Sequence, residues 1–371
     1  MRLSLFRFSS LVALSAFAVM AVHCTRQGEP LGSNQGSNQK NKTRGEAQAR
    51  VVNLAIWSNY LSPELISLFE KKTGIKIQIS NYSSNEELLA KLQAGASGYD
   101  VAVPSDYMIF IMRKLGLLEE LDFSQLSNTK SLAPKFLKKS YDPENKNSVP
   151  YNWGTTGIAI HRNLYSGTVK GWRDLFEKPE LSGKISLLDD AREVLGAALK
   201  ALGYSLNSMT ESELMKAKAL LLKTRSRIKA FTSEPKMPLI NREIAVAHVF
   251  MSDALQARQA TGGKVDYLVP EEGGTLWIDS LVIPKGARHL KEAHEFINFL
   301  IEASANVSTV THIFVAPVNE LAIALLPKEL QSNTMLFPSA AALAKCEMIE
   351  DLGESMAIWD RIWTEIKARR D

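Results

Sequence analysis

The sequence predicts an α/β protein of two lobes, and three observations carry that prediction. The chain has 371 residues, more than the roughly 100–200 of an ordinary single domain. From Val51 onward, short β-branched or apolar runs alternate with amphipathic helical stretches, the pattern of strands covered by helices. Two long extended runs, Tyr151 to His161 and Leu276 to Pro284, separate blocks of different composition and read as crossings between lobes. A composition of 45% hydrophobic and 23% charged residues excludes a disordered, collagen-like or multi-span membrane chain over most of the length.

Val51–Trp57 reads as the first strand. Ser62 then supplies an N-cap and Pro63 an N1 proline for a helix that stops before Gly74. Ile75–Ser80 alternates as a second strand, Asn85–Gln93 as a helix, and Tyr99–Val103 as a third strand turning through Pro104–Tyr107 into a helix that ends near Leu115. Between the two crossings the spacing predicts a strand over Gly183–Leu188, helices over Ala191–Leu202 and Ser212–Thr224, and a strand over Ile244–Phe250. A helix over His289–Glu302, the turn Pro317-Val318-Asn319 and further helical segments complete the chain. Ligands of open α/β sheets bind beyond the carboxyl ends of strands, which singles out Trp57–Tyr60 and Pro104–Tyr107.

The front end reads as a targeting segment. Arg2 and Arg7 precede an apolar stretch from Phe8 to Val22 that is too short for a stable membrane span. Residues 1–23 are expected to be a signal peptide, and 24–50, rich in Gly, Ser, Asn, Gln and Lys, a flexible tether. Cys24 at their junction is placed for acylation as in a bacterial lipoprotein, although His23 stands where a small residue is usual. Ordinary cleavage nearby, leaving a free thiol, is the alternative. Cys346 is the second of two cysteines, so an acylated Cys24 leaves no intrachain disulfide.

Lys and Arg total 44 and Asp and Glu 40, but the excess is confined to the leader and tether. Removing the seven basic and two acidic residues of 1–50 leaves 37 and 38. The remainder therefore carries no nucleic-acid footprint. No G-x-G-x-x-G follows a strand, Gly262-Gly263-Lys264 lacks the rest of a phosphate loop, and G-x-S-x-G is missing. His289 and His294 are five apart and read as solvated surface residues rather than metal ligands; Cys346 reads as an inert thiol. No catalytic set, metal site or cofactor is expected.

Aromatic and acidic residues at strand ends and crossings are the positive signal. Trp277 and Asp279 are i and i+2 on a strand and share a face. An indole beside a carboxylate suits an organic ammonium, the ring face attracting the cation and the carboxylate accepting its N–H donors; equally, Trp277 could be core and Asp279 the start of a turn. Asp190 and Glu193 have the spacing of a capping box, and Asp253 is either a helix N-cap or a cleft carboxylate.

Several motifs in one order resemble the spermidine/putrescine-binding family, the solute-capturing proteins of bacterial ABC importers. They include Trp57-Ser58-Asn59-Tyr60, Tyr99-Asp100-Val101-Ala102-Val103-Pro104-Ser105 and Val149-Pro150-Tyr151-Asn152-Trp153-Gly154. Asp189-Asp190-Ala191-Arg192-Glu193-Val194, Ala257-Arg258-Gln259-Ala260 and the run from Glu272 through Trp277 to Ser280 follow. The resemblance spans nearly all of 51–371. It implies a two-lobed periplasmic-binding-protein fold with hinge strands and a ligand cleft, 51–152 with 281–320 forming one lobe and 153–280 with 321–371 the other.

By the same resemblance Trp57, Tyr60, Tyr107 and Trp277 match aromatic walls, with Ser58 and Asn59 in the first of these motifs, and Ser105 matches a polar contact. Asp190, Glu193 and Asp279 match amine-binding carboxylates, and Asp253 a carboxylate of putrescine-type members. Phe250 stands where the family usually has Trp, Phe314 where spermidine binders have Tyr, and Ile349 near where they have Gln. The expected function is extracytoplasmic polyamine capture and delivery to an ABC permease by a lipid-anchored monomer. Binding of another cationic solute, or an enzyme on a related two-lobed fold, are the alternatives.

Overall fold

A computed structural model describes residues 50–58, 60–95 and 98–368; the expected signal peptide, Cys24, nearly all of the expected tether, and Asn59 lie outside them. In chain order the strands are β1 (Val51–Trp57), β2 (Lys76–Tyr82), β3 (Val101–Ala102), β4 (Ser148–His161), β5 (Ile185–Leu188), β6 (Ile228–Thr232), β7 (Val246–Phe250), β8 (Val265–Leu268), β9 (Leu276–Val282) and β10 (Ala316–Pro317). The helices are α1 (Pro63–Thr73), α2 (Asn85–Gln93), α3 (Asp106–Lys114), α4 (Trp172–Glu177), α5 (Ala191–Ala201), α6 (Glu211–Thr224), α7 (Lys236–Ile240), α8 (Met251–Ala260), α9 (Leu290–Leu300) and α10 (Ala303–Ile313), with a last long helix over Met356–Ala368.

The strands follow the order β2-β1-β3-β9-β4-β7-β5-β6, with β8 and β10 pairing to β4 off that path. β4 holds two neighbourhoods together. Its first half, Ser148 to Thr155, runs antiparallel to β9, and its second half pairs β7 and β8. All fourteen residues of β4 are buried, as a strand covered on both faces requires. Pro150, which has no N–H to give the ladder, coincides with a register shift between Pro150 and Asn152.

Local chemistry explains the boundaries. Ser62 Oγ accepts from the Leu65 amide at 3.1 Å and Gly74 closes α1 at φ 71°, the left-handed conformation glycine adopts without strain. The β3 ladder is shorter than the predicted Tyr99–Val103 because the Val103 carbonyl accepts side-chain donors instead, Trp57 Nε1 at 2.9 Å and Tyr82 Oη at 2.5 Å. Phe69 of α1 is fully buried with its ring centroid 5.0 and 5.1 Å from those of Phe296 and Phe299 on α9; burying one such side chain contributes about 2–3 kcal/mol. A second apolar cluster joins α5 and α6 to Trp359, Ile362 and Ile366 of the last helix.

The elements β6, β8, β10, α4, α7, α8 and α10 lay outside the sequence prediction. α10 is rich in Ser, Thr and Val, poor helix formers whose propensity is overridden by packing. Its Asn306 and Thr309 are buried and bonded to Asn152 and Tyr151 of β4 at 3.1 and 2.8 Å.

His289 and His294 are not the solvated residues expected. His294 is buried, bonded through Nδ1 to the Leu290 carbonyl at 2.7 Å and through Nε2 to the Asp122 amide at 2.9 Å. His289 Nδ1 lies 2.9 Å from Asp100 Oδ2. Asp100, fully buried, also accepts from the amides of Asn53, Arg288 and His289 and from Asn53 Nδ2. Burial alone would raise its pKa, but these donors hold it below the usual carboxylate value.

Asp100 thereby ties β1 to the start of α9. Asp100→Asn, which removes the charge and half the acceptor capacity, is expected to cost about 2–3 kcal/mol in denaturant titration. The wild-type contribution is lost only at strongly acid pH, as the pH falls through the depressed pKa.

Candidate functional site

A cavity of about 300 Å³ opens where β1, β3 and β9 face the carboxyl ends of β5, β6 and β7. Among the described residues, Trp57, Ser58, Tyr60, Ser105 and Tyr107 line it from one side. Asp190, Glu193, Phe250 and Asp253 line it from the other, with Trp277 and Asp279 of β9 between. Phe314 does not line it. That residue ends α10 with a left-handed φ of 56° and packs against the core, so that Ile313 takes the lining position.

Asp279 anchors the first side. It is 5% exposed and accepts from Tyr60 Oη at 2.5 Å and Ser105 Oγ at 2.8 Å. Ser105 is the N-cap of α3, yet its hydroxyl makes no cap bond, because it is directed to Asp279. Asp106 supplies the missing cap, its Oδ1 accepting from the Tyr107 amide at 2.7 Å while Oδ2 accepts from Ile278 at 3.2 Å. Trp57 and Tyr82 meet edge to face with centroids 4.7 Å apart. Trp277 lies over Gly154, where a Cβ would stand 2.3 Å from Trp277 Cζ2; only glycine leaves room for the ring.

On the second side Asp190 caps α5, Oδ1 accepting from the amides of Arg192 at 2.8 Å and Glu193 at 3.0 Å. Capping and cleft lining are therefore not alternatives for this residue. Glu193 does not reach back as in a capping box; it accepts from Thr156 Oγ1 at 2.9 Å and Thr275 Oγ1 at 2.7 Å. Asp253 lies in the first turn of α8, whose N-cap is Phe250, so it is not the cap. Tyr107 Oη donates to Glu86 Oε1 at 3.0 Å and accepts from Asn85 Nδ2 at 3.2 Å.

These carboxylates are poor in cations. Burial raises Asp279 to about 6 despite its two hydroxyl donors, and Asp253 to about 6 although Lys236 opposes the rise. Burial and the neighbouring charge of Glu193 raise Asp190 to about 7. An enclosure of desolvated carboxylates is suited to holding an organic cation, whose N–H donors and charge remove the cause of each rise. Among the described residues no group of three or more His, Cys, Asp or Glu side chains is arranged for a metal ion. Cys346 is half-buried, and burial raises its thiol.

Several lining residues were not read from the sequence. Tyr82 ends β2, which runs two residues further than predicted, and Glu86 lies in the first turn of α2; Thr275 precedes β9; Lys236 and Gln256 lie beyond the unpredicted β6 and on α8. The strand-end rule would have found Tyr82 and Lys236 had those strands been drawn correctly.

An α/β fold with an acidic, aromatic cleft at its strand ends defines a solute-binding protein. Residues 64–338 match the family of bacterial extracellular solute-binding proteins, and the chain belongs to that family. It is 38% identical over 317 residues to the spermidine/putrescine-binding periplasmic protein of Salmonella typhimurium, covering 85% of this chain and 90% of that one. The structure resembles the spermidine/putrescine ABC transporter substrate-binding protein PotD of Streptococcus pneumoniae, with TM-score 0.77, 33% identity, and 86% and 98% of the two chains covered. It also resembles the Tp0655 lipoprotein of Treponema pallidum, with TM-score 0.78, 30% identity, and coverage of 86% and 100%. The fold is thus the two-lobed one of these proteins.

The raised carboxylates set opposite pH slopes for the free and loaded protein. A carboxylate whose folded pKa exceeds its unfolded value of about 4 stabilises the fold below pH 4 and loses that contribution as pH rises through 6 to 7. The ligand-free melting temperature is therefore expected to fall between pH 5 and 8, while the increment from a bound organic dication rises over the same interval. Thermal melts in both states across that range measure the two slopes.

Proposed function

We propose that the protein captures polyamines outside the cytoplasm and delivers them to an ABC permease, and that it performs no chemistry on them. The observation that carries the reading is the pairing of desolvated carboxylates with aromatic faces on both sides of one cleft. A diamine bears an ammonium at each end of a methylene chain. Asp279, with Trp57, Tyr60 and Trp277 around it, takes one end; Asp190 and Glu193, with Asp253 nearby, take the other. Each charge-assisted hydrogen bond contributes about 1.5–3 kcal/mol and each cation–π contact about 0.5–2, enough in sum for roughly −8 kcal/mol, or micromolar binding.

In this reading 51–152 with 281–320 and 153–280 with 321–371 move as two bodies about the β4 and β9 crossings, enclosing the ligand. A monomer anchored through acylated Cys24 would stay near its permease. Among the described residues no helix is long and apolar enough to cross a membrane, and acylation of Cys24 would supply the attachment.

Calorimetry tests the reading directly. Putrescine and spermidine are expected to give saturable heat at one ligand per chain, and a neutral diol of the same length none; equal binding of the diol overturns charge recognition. Asp279→Asn keeps the shape of the site and is expected to lower amine affinity by about 2–5 kcal/mol, with no loss of ligand-free melting temperature.

A further inference from the structure

Lys236 is the one basic side chain among the described residues that line the cavity. It is the first residue of α7 and half-buried, and its Nζ donates to Gln256 Oε1 at 2.9 Å. Gln256 is one turn beyond Asp253 on α8, and residues three apart on a helix share a face. Gln256 is fixed from its other end too, its Nε2 donating to the Ile313 carbonyl at 3.3 Å. The lysine ammonium is therefore held beside the stretch of α8 that presents Asp253. No described donor is hydrogen-bonded to Asp253, and Lys236 is the cation that opposes the rise of its carboxyl.

We infer that Lys236 is a resident ammonium that fills the amine position beside Asp253, so that the cleft accepts two ligand charges and disfavours a third. The inference rests on the polyamine reading and deepens it. A tethered ammonium competes with a ligand amine at high effective concentration, and it repels a second cation brought against it. A diamine spanning Asp279 to Asp190 and Glu193 leaves Lys236 undisturbed. A triamine must place its extra charge against Lys236 or expel that side chain into solvent. Glu234, exposed and two residues before Lys236, also lines the cavity and adds to the rise of Asp253 that Lys236 opposes.

Titration of putrescine and spermidine into the wild type, Lys236→Gln and Lys236→Arg tests the assignment, with thermal melts confirming that each variant folds. Removing the charge is expected to raise spermidine affinity about tenfold while moving putrescine less than about threefold, and arginine is expected to keep the wild-type ratio. In an Asp253→Asn background the Lys236→Gln gain for spermidine should vanish. A spermidine-to-putrescine ratio unchanged in Lys236→Gln, with both amines still bound, overturns the role of Lys236 alone. So does an arginine variant that behaves like glutamine, which would make the effect one of packing. Failure of the wild type to bind either amine instead overturns the polyamine reading.

Discussion

One strand belongs to both halves of the sheet, and the positions of the functional groups depend on that. β4 pairs β9 along its first half and β7 and β8 along its second, so a single ribbon of backbone fixes where the two walls of the cleft stand. Trp277 is registered against Gly154 of β4, and Thr156 of the same strand donates to Glu193. A one-residue slip in the β4–β9 ladder would turn Trp277 and Asp279 to the opposite face. Complete burial, the Tyr151–Thr309 bond and the Asn152–Asn306 bond oppose such a slip.

The second constraint is the cost of leaving carboxylates out of water. Asp279 retains a raised pKa although two hydroxyls point at it, which means that neutral donors only partly replace hydration. Placing these groups on strand ends and helix first turns lets the backbone carry some of that burden: Asp190 meets two amides and Asp106 meets two more. The cleft is thus held in a state that an organic cation improves.

Much of this was legible in the chain. Ser62, Pro63 and Gly74 determine the bounds of α1, Asn85–Gln93 has the predicted bounds, and the aromatic and acidic residues after β1, β3, β5 and β7 line the cavity. Sequence reasoning failed where a side chain replaced a backbone partner or a strand lacked apolar character. Ser105 reads only as a polar contact, and that its hydroxyl leaves the N-cap position of α3 to bond Asp279, 174 residues away, is a long-range choice that local sequence does not encode. Lys236 went unread because β6, Ile228–Thr232, has one buried residue in five. Phe314, placed in the site by the family resemblance, instead ends α10 in the left-handed conformation, and its neighbour Ile313 lines the cavity.

The fit of Trp277 over Gly154 has a consequence for descent. A methyl group at 154 and an indole at 277 cannot occupy the same register, so neither position can drift freely. A lineage that acquired a side chain at 154 would first need a smaller residue at 277, and would have lost an aromatic wall of its cleft along the way. The pair therefore constrains the order in which substitutions can be fixed, and a change of ligand class through this wall must begin on β9 rather than β4.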